Sequence, residues 1–295
     1  MALKLSKSEI RALRQICRQD GTVSGLAAKL GAKESFMSRV LRSLGEKGLV
    51  GVKKDGVKKT VQLSVASHAQ NFKLLSDSRP DAKIEGWLSG FAMDILVVSE
   101  DGAETNLILE ETGCTAATLY KTLKSLLSAG VLLWKNGRVE ITDGLLKKFV
   151  ASYADNIQLI AQRNAKGFNT SIRIRKNVVL RTDAKNVPPY FTQTGLSALA
   201  KNGLEAMLTS YDDFYFNLDG QKRELSPEES FIHALLLTTL QQHQDMPVLA
   251  IFFARNKRRL DLRAIKKLAK KYMVEGAFEE IRRETEFHEK MKGVE

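Results

Sequence analysis

The sequence predicts an α+β chain: two tandem modules of three helices closed by a β-hairpin, then a mixed α/β domain of helices and strands. The first part of that expectation comes from a repeat. A shift of 82 residues lays Gly31 on Gly113, Met37 on Leu119, Arg39 on Lys121, Leu41 on Leu123, Arg42 on Lys124, Leu44 on Leu126 and Gly48 on Gly130. Each copy is followed by an alternating run broken at Asp55-Gly56 or at Asn136-Gly137, both strong short-range signals for a tight hairpin. Near Thr170 the texture changes, and strand-like and helix-like segments intermix from there on. With 295 residues, 43% hydrophobic and 27% charged, the chain is long enough for two or three ordinary domains. The expected divisions are a first module at 1–65, a linker helix at 66–80, a second module at 81–145, a connecting helix at 146–166 and the mixed domain at 167–295.

In the first module, a helix over about Ser6 to Gln19 turns Ile10, Leu13 and Ile16 or Cys17 inward and Lys7, Arg11, Arg14 and Arg18 outward. Thr22 or Ser24 is the expected cap of a second helix, which packs Leu26, Ala27 and Leu30 inward and ends at Gly31. A third helix buries Met37, Leu41 and Leu44 on helical spacing, so its opposite face carries Lys33, Glu34, Ser35, Ser38, Arg39 and Arg42. Residues 50–63 then alternate as two strands, with Lys53, Lys54, Lys58 and Lys59 flanking the tip.

The second module repeats the order. Ile84 to Ser99 reads as its first helix, with Leu88, Phe91, Ile95 and Val98 on one face, and Glu104 to Thr112 as its second. Ala116 to Ala129 is the third, burying Leu119, Leu123 and Leu126 and presenting Thr115, Thr118, Lys121 and Lys124. A short hairpin follows, carrying Lys135 and Arg138. Helices over Ala66 to Arg79 and Gly144 to Ala165 connect the parts. The apolar stripe of the latter, Leu146, Phe149, Val150, Tyr153, Ile157 and Ile160, reads as core first and as a dimer face second.

Three helices with a Gly turn before the third and a hairpin after it follow the order of the winged helix-turn-helix, a reader of duplex DNA. Charge separates the two copies. Residues 1–65 hold 14 Lys/Arg against 5 Asp/Glu, whereas residues 66–145 hold 7 against 11. Lysines and arginines bind DNA by neutralising phosphates and releasing counterions, so the first copy is the expected DNA anchor. Arg39 or Arg42 suits a guanine edge, Lys33, Ser35 and Ser38 suit phosphates or adaptable base contacts, and the four hairpin lysines suit the backbone or the adjoining minor groove. For the second copy a pairing or supporting role is preferred, the alternative being DNA contact through Thr118, Lys121, Lys124 and Arg138.

The run Ser38-Arg-Val-Leu-Arg-Ser-Leu-Gly-Glu-Lys-Gly-Leu-Val50 resembles the recognition-helix ending of winged-helix transcriptional regulators, the broad type that includes the MarR and ArsR families. The likeness covers about residues 5–65 and 83–143. It implies a tandem winged-helix, sequence-directed DNA-binding protein active in transcription regulation, often as a homodimer. It supplies neither the operator nor an inducer.

In the last third, Ser171 to Arg181 alternates apolar and basic residues around a turn at Lys176-Asn177. Phe214 to Leu218 and Pro247 to Phe253 read as strands, Ser226-Pro-Glu-Glu starts a helix running through Phe231 to Gln241, and one long helix closes the chain. Tyr190 to Leu204 with Asp212-Asp-Phe-Tyr-Phe216 is similar to the C-terminal domain of abortive-infection type IV antitoxins, which is related to the nucleotidyltransferase fold. A working nucleotidyltransferase needs two acidic residues alternating on one strand to hold magnesium. Asp212 and Asp213 are adjacent and would point to opposite faces, so they read as part of a solvated turn. The basic run Arg255 to Tyr272 reads as a solvated helical face, or as extra contacts to phosphate or to an acidic surface.

Cys17 and Cys114, the only thiols, are expected to be buried and inert, with no zinc motif. No apolar stretch reaches the length of a membrane span and no secretory signal is visible, which points to a cytoplasmic protein without a membrane partner. His68, His233, His243 and His288 lack partners at catalytic spacing, so neither an enzyme nor a cofactor is expected. Two rivals to a DNA-binding regulator stay open. One is an antitoxin-like autoregulator that neutralises a protein partner through its C-terminal domain; the other is a winged-helix protein-assembly factor.

Overall fold

The computed structural model describes residues 3–55, 58–201, 210–240 and 246–292. They form an α+β chain of helices and small antiparallel sheets. Contacts divide it into two compact units, Ala2–Ile157 and Gln158–Glu295.

The first unit opens with α1 (Lys7–Arg18), whose start is closed by a reciprocal cap. The Ser6 hydroxyl accepts from the Glu9 amide at 3.2 Å while the Glu9 carboxylate accepts from the Ser6 amide at 2.6 Å. Thr22 caps α2 (Val23–Lys29), then come α3 (Glu34–Glu46) and an antiparallel hairpin of β1 (Val50–Asp55) and β2 (Lys58–Leu63). Gly56, half of the expected turn, lies outside the described residues. After α4 (Ser67–Ser78), α5 (Ile84–Trp87) and α6 (Phe91–Val98) come α7 (Thr105–Thr112), α8 (Ala116–Ser128), β3 (Leu132–Lys135), β4 (Arg138–Ile141) and α9 (Gly144–Ala165), of which residues up to Ile157 belong to this unit.

The internal repeat holds down to single bonds. The bounds of α3 and α8 differ by the sequence shift of 82 residues at both ends. The turn glycines match: Gly31 and Gly113 sit at φ 60° and 62°, Gly48 and Gly130 at 72° and 69°, left-handed values that would strain any residue with a side chain. A lone β-bridge joins the loop before α2 to the hairpin, Gly21 to Val61, and its counterpart joins Ala103 to Val139. Asn136 (φ 51°) and Gly137 (φ 76°) form the tight turn of the second hairpin.

Three expectations for this unit need correction. Ile84 to Ser99 is two helices, because Gly90 at φ 59° breaks the run, and Phe91 is half-exposed. Arg14 does not face solvent; its guanidinium donates to the carbonyls of Pro80 (2.5 Å) and Ala82 (3.0 Å), clamping α1 to the segment before α5. Cys17 is buried, which pushes its thiol up to about 12, helped by nearby Asp77, but Cys114 is only part-buried. The stripe of α9 is core: Phe149 packs edge-on against Phe72 at 5.4 Å, and the buried Tyr153 hydroxyl donates to the Leu3 carbonyl.

The second unit is a four-stranded antiparallel sheet in the order β5 (Asn169–Ile174), β6 (Asn177–Thr182), β8 (Asp212–Asn217), β7 (Thr192–Thr194). Helix α10 (Gly195–Lys201) follows β7 directly. Helices α11 (Pro227–Leu240), α12 (Met246–Asn256), α13 (Leu262–Lys271) and α14 (Glu275–Lys292) follow β8. The core gathers Val179, Tyr215, Phe231, Leu235, Phe252, Phe253, Tyr272 and Phe278. The β5–β6 turn falls at Arg175-Lys176, one residue earlier than expected. Pro247 to Phe253 is helical, not a strand: Met246, Leu249, Ala250 and Phe253 are buried at helical spacing, and a short apolar run does not distinguish the two by itself. The single closing helix is two, because Met273 takes a left-handed φ of 57° and the Val274 amide turns back to the Ala269 carbonyl.

Candidate nucleic-acid interface

The third helix of the first module is positioned by what it buries. Met37, Val40, Leu41 and Leu44 face α1 and α2, so helical geometry sends the intervening residues outward. Lys33, Ser35, Ser38, Arg39 and Arg42 are all exposed. Among the described residues, none of Lys33, Arg39 and Arg42 pairs with a carboxylate. Lys33 is the N-cap of α3 but makes no side-chain cap bond, whereas its counterpart Thr115 accepts from the Thr118 amide at 3.2 Å.

The hairpin adds further exposed cations. In the register of β1 and β2, Lys54 stands directly opposite Lys59, and Lys53 opposite Thr60. Lys54 and Lys59 therefore share one face and Lys53 takes the other. Like charges directly opposite each other destabilise a strand pair, and Lys53, Lys54 and Lys59 are all exposed with no ion pair among the described residues. The Lys58 side chain lies outside the described residues.

The corresponding surface of the second module is chemically different. Lys121 and Lys124 are exposed and Thr118 is part-buried. Arg138 donates to the Gly102 carbonyl at 2.6 Å, and Lys135 stands 3.9 Å from the Glu140 carboxylate. Its hairpin cations are thus engaged within the module. Tyr120 on α8 and Leu133 and Trp134 on β3 are exposed instead.

Two residues of the first module escaped the sequence reading. Phe36 stands among the exposed polar residues of α3, 39% exposed, with the Arg39 guanidinium 5.9 Å from its ring centre. Lys47, just past the end of α3, is buried. Its ammonium donates to the Glu9 carboxylate at 2.5 Å and to the Lys4 carbonyl at 2.9 Å. Its own carbonyl meets His68 Nε2 at 3.1 Å and Asn156 Nδ2 at 2.9 Å. Burial lowers the His68 pKa, so the neutral imidazole donates to that carbonyl. These bonds fix the end of α3, and with it the direction in which Arg39 and Arg42 project.

In the second unit, Asp212 and Asp213 lie on β8 rather than in a solvated turn. Asp213 is buried in a two-point pair with Arg181, Nε to Oδ1 at 2.7 Å and Nη2 to Oδ2 at 3.2 Å, and Asp212 accepts from Gln193 at 3.1 Å. Asp213 also crowds Gly195 so closely that no side chain fits there. His233 is fully buried, its Nδ1 2.9 Å from the Thr194 hydroxyl. His243 lies outside the described residues. Among the described residues no helix is long and apolar enough to cross a membrane. No family model matches the chain, and no curated protein matches it.

Proposed function

We propose that this protein is a sequence-specific, double-stranded-DNA-binding transcriptional regulator built from tandem winged helix-turn-helix modules, and that the first module reads the DNA. In this reading α3 enters the major groove, where Arg39 and Arg42 address base edges and Lys33, Ser35 and Ser38 hold phosphates or adjust to bases. The hairpin is the wing, and Lys53, Lys54, Lys58 and Lys59 grip the neighbouring backbone. The observation that carries the reading is the contrast between two copies of one architecture. Among the described residues the first leaves Lys53, Lys54 and Lys59 of its hairpin exposed without an ion pair, whereas the second ties Arg138 and Lys135 of its hairpin to its own atoms. An array of unpaired cations, two of them facing each other across a strand pair, is stabilised when a polyanion lies against it.

The second module is then a supporting or pairing surface, which its exposed Tyr120, Leu133 and Trp134 favour. A homodimer or another protein would cover it. Selection of bound fragments from genomic DNA, followed by titration of the intact chain on the selected duplex across salt, tests the proposal. Log affinity should fall steeply and linearly with log salt. Failure to retain any duplex, or affinity indifferent to salt, overturns it.

A further inference from the structure

A cavity of about 490 Å3 opens in the second unit between β7, α10, α11 and the loop before α11, lined among others by Thr192, Gln193, Lys201, Lys222, Arg223 and Ser230. Its volume falls in the range of small-molecule sites. The chemistry of its wall is unusual at one atom. Ser230 Oγ is buried, with the residue 1% exposed, and has no hydrogen-bond partner. A serine inside a helix commonly bonds the carbonyl one turn back, as Thr238 does to Ala234 on this same helix; Ser230 does not. A buried hydroxyl is kept without a partner at a cost, which a ligand in the cavity would remove.

Nearby, Thr192 Oγ1 accepts from the Arg223 amide at 3.0 Å, which leaves its hydroxyl proton to give. Around these hydroxyls stand three cations. Lys201 bonds the side-chain carbonyl of Gln193, Lys222 is exposed, and Arg223 lies 4.9 Å over the Tyr215 ring while pairing through one nitrogen with Glu229. Among the described residues of the cavity wall, Glu224 is the one carboxylate, against three cations.

We propose that this cavity binds a small phosphate monoester, with the phosphate seated on the Ser230 and Thr192 hydroxyls between Lys201 and Lys222. A phosphate offers three acceptor oxygens and about two negative charges, matching two hydroxyl donors and two ammonium groups; a carboxylate brings only one charge to the two ammonium groups. The volume beyond the phosphate accommodates a group of sugar size.

Calorimetric titration and phosphorus NMR of the full chain with ribose-5-phosphate, with inorganic phosphate and ribose as comparisons, test this. Saturable binding of ribose-5-phosphate without binding of ribose is expected. Replacing both lysines, Lys201→Gln with Lys222→Gln, should weaken it at least about tenfold; Lys222 is exposed, so Lys222→Gln alone preserves the fold and should weaken it in the same direction. Ser230→Ala should reduce affinity several-fold while leaving the melting temperature unchanged or higher, because the hydroxyl removed has no partner in the free protein. The proposal is overturned by no binding of either phosphate probe, by equal binding of the double lysine variant, or by a Ser230→Ala protein that binds undiminished. Lysine variants that lose duplex-DNA affinity while binding ribose-5-phosphate normally would assign these cations to nucleic acid and equally overturn it.

Discussion

The Lys47 ammonium lies 2.5 Å from the Glu9 carboxylate, with both side chains buried, and so joins the end of α3 to the first turn of α1. Glu9 serves two partners at once, because the same carboxylate caps α1 through the Ser6 amide. The charge that anchors the proposed reading helix is therefore inside the protein and separate from the exposed charges that would meet DNA. Burial alone would raise the Glu9 pKa, but the adjacent Lys47 ammonium and the hydrogen bonds outweigh it, and the net shift is downward.

Breaking that pair should be costly, and removing it whole much less so. Lys47→Met leaves a buried carboxylate uncompensated and is expected to destabilise the protein by about 3–5 kcal/mol, whereas Lys47→Met with Glu9→Gln should recover a large part of the loss. Urea denaturation of the four proteins in the cycle measures it. The pH dependence has a definite sign. Glu9 titrates lower folded than its ordinary 4.5, so its contribution is fully present above that value and is lost as pH falls through the lower folded value. Glu9→Gln should flatten that acid limb, and an unchanged limb would show that other carboxylates control it.

The hairpin lysines are expected to act on affinity without regard to sequence. If Lys53, Lys54 and Lys59 make the proposed phosphate contacts, replacing all three by Gln should reduce the slope of log affinity against log salt by about 2.7, at about 0.9 per contact. Arg39→Ala or Arg42→Ala should instead cost about 1–3 kcal/mol on the preferred duplex and little on others. Titration of each variant on the selected duplex and on a scrambled one separates the roles. A hairpin variant that loses preference while keeping its salt slope would reverse them.

In the second unit, His233 should give stability a slope in mild acid. Burial depresses its pKa from 6.5 to about 3; the nearby Glu229 carboxylate opposes this, while Arg223 and Lys271 reinforce it. Between those two values the unfolded chain takes up a proton that the folded protein refuses, so stability falls as pH falls, by at most about 1.4 kcal/mol per pH unit. Glu229 is itself shifted below its ordinary 4.5, so its effect is confined to more acid solution than the upper part of this window. Thermal melts between about pH 5 and 6.5 should show a shallower slope in His233→Gln than in the parent. Equal slopes would mean that the imidazole is protonated in place.

What was legible in the sequence was local, and what was missed was long-range. Gly31, Gly48, Gly113 and Gly130 announce left-handed turns by themselves, and the spacing of Met37, Leu41 and Leu44 orients α3 without reference to any other segment. The exposed arrangement of Lys33, Ser35, Ser38, Arg39 and Arg42 was readable for that reason. Lys47 was not, because its partner Glu9 lies 38 residues away and already has a local explanation in the capping pattern with Ser6. Asp213 was misplaced for a similar reason: its partner Arg181 stands opposite it only once β6 and β8 are in register. Pro247 to Phe253 was misread because a short apolar run carries no period, and α12 is decided by the helices around it.

Phe36 offers the most specific test of how α3 would meet a duplex. An aromatic ring 39% exposed on an otherwise polar helix face, with the Arg39 guanidinium 5.9 Å from its centre, does two things. It offers Arg39 a cation–π partner, and it presents an apolar edge of the kind that contacts a thymine methyl in the major groove. Losing contact with one methyl is worth about 0.8 kcal/mol, roughly a fourfold change in affinity. Phe36→Ala should therefore bind the selected duplex at least that much more weakly, and it should lose the discrimination between thymine and deoxyuracil expected of the parent at the contacted position. Because the ring is part-exposed, a thermal melt of the variant run beside the binding titration separates a binding loss from a folding loss. If the variant binds every duplex equally less well, or melts well below the parent, Phe36 belongs to the packing of the module and the proposed base contacts would rest on Arg39 and Arg42 alone.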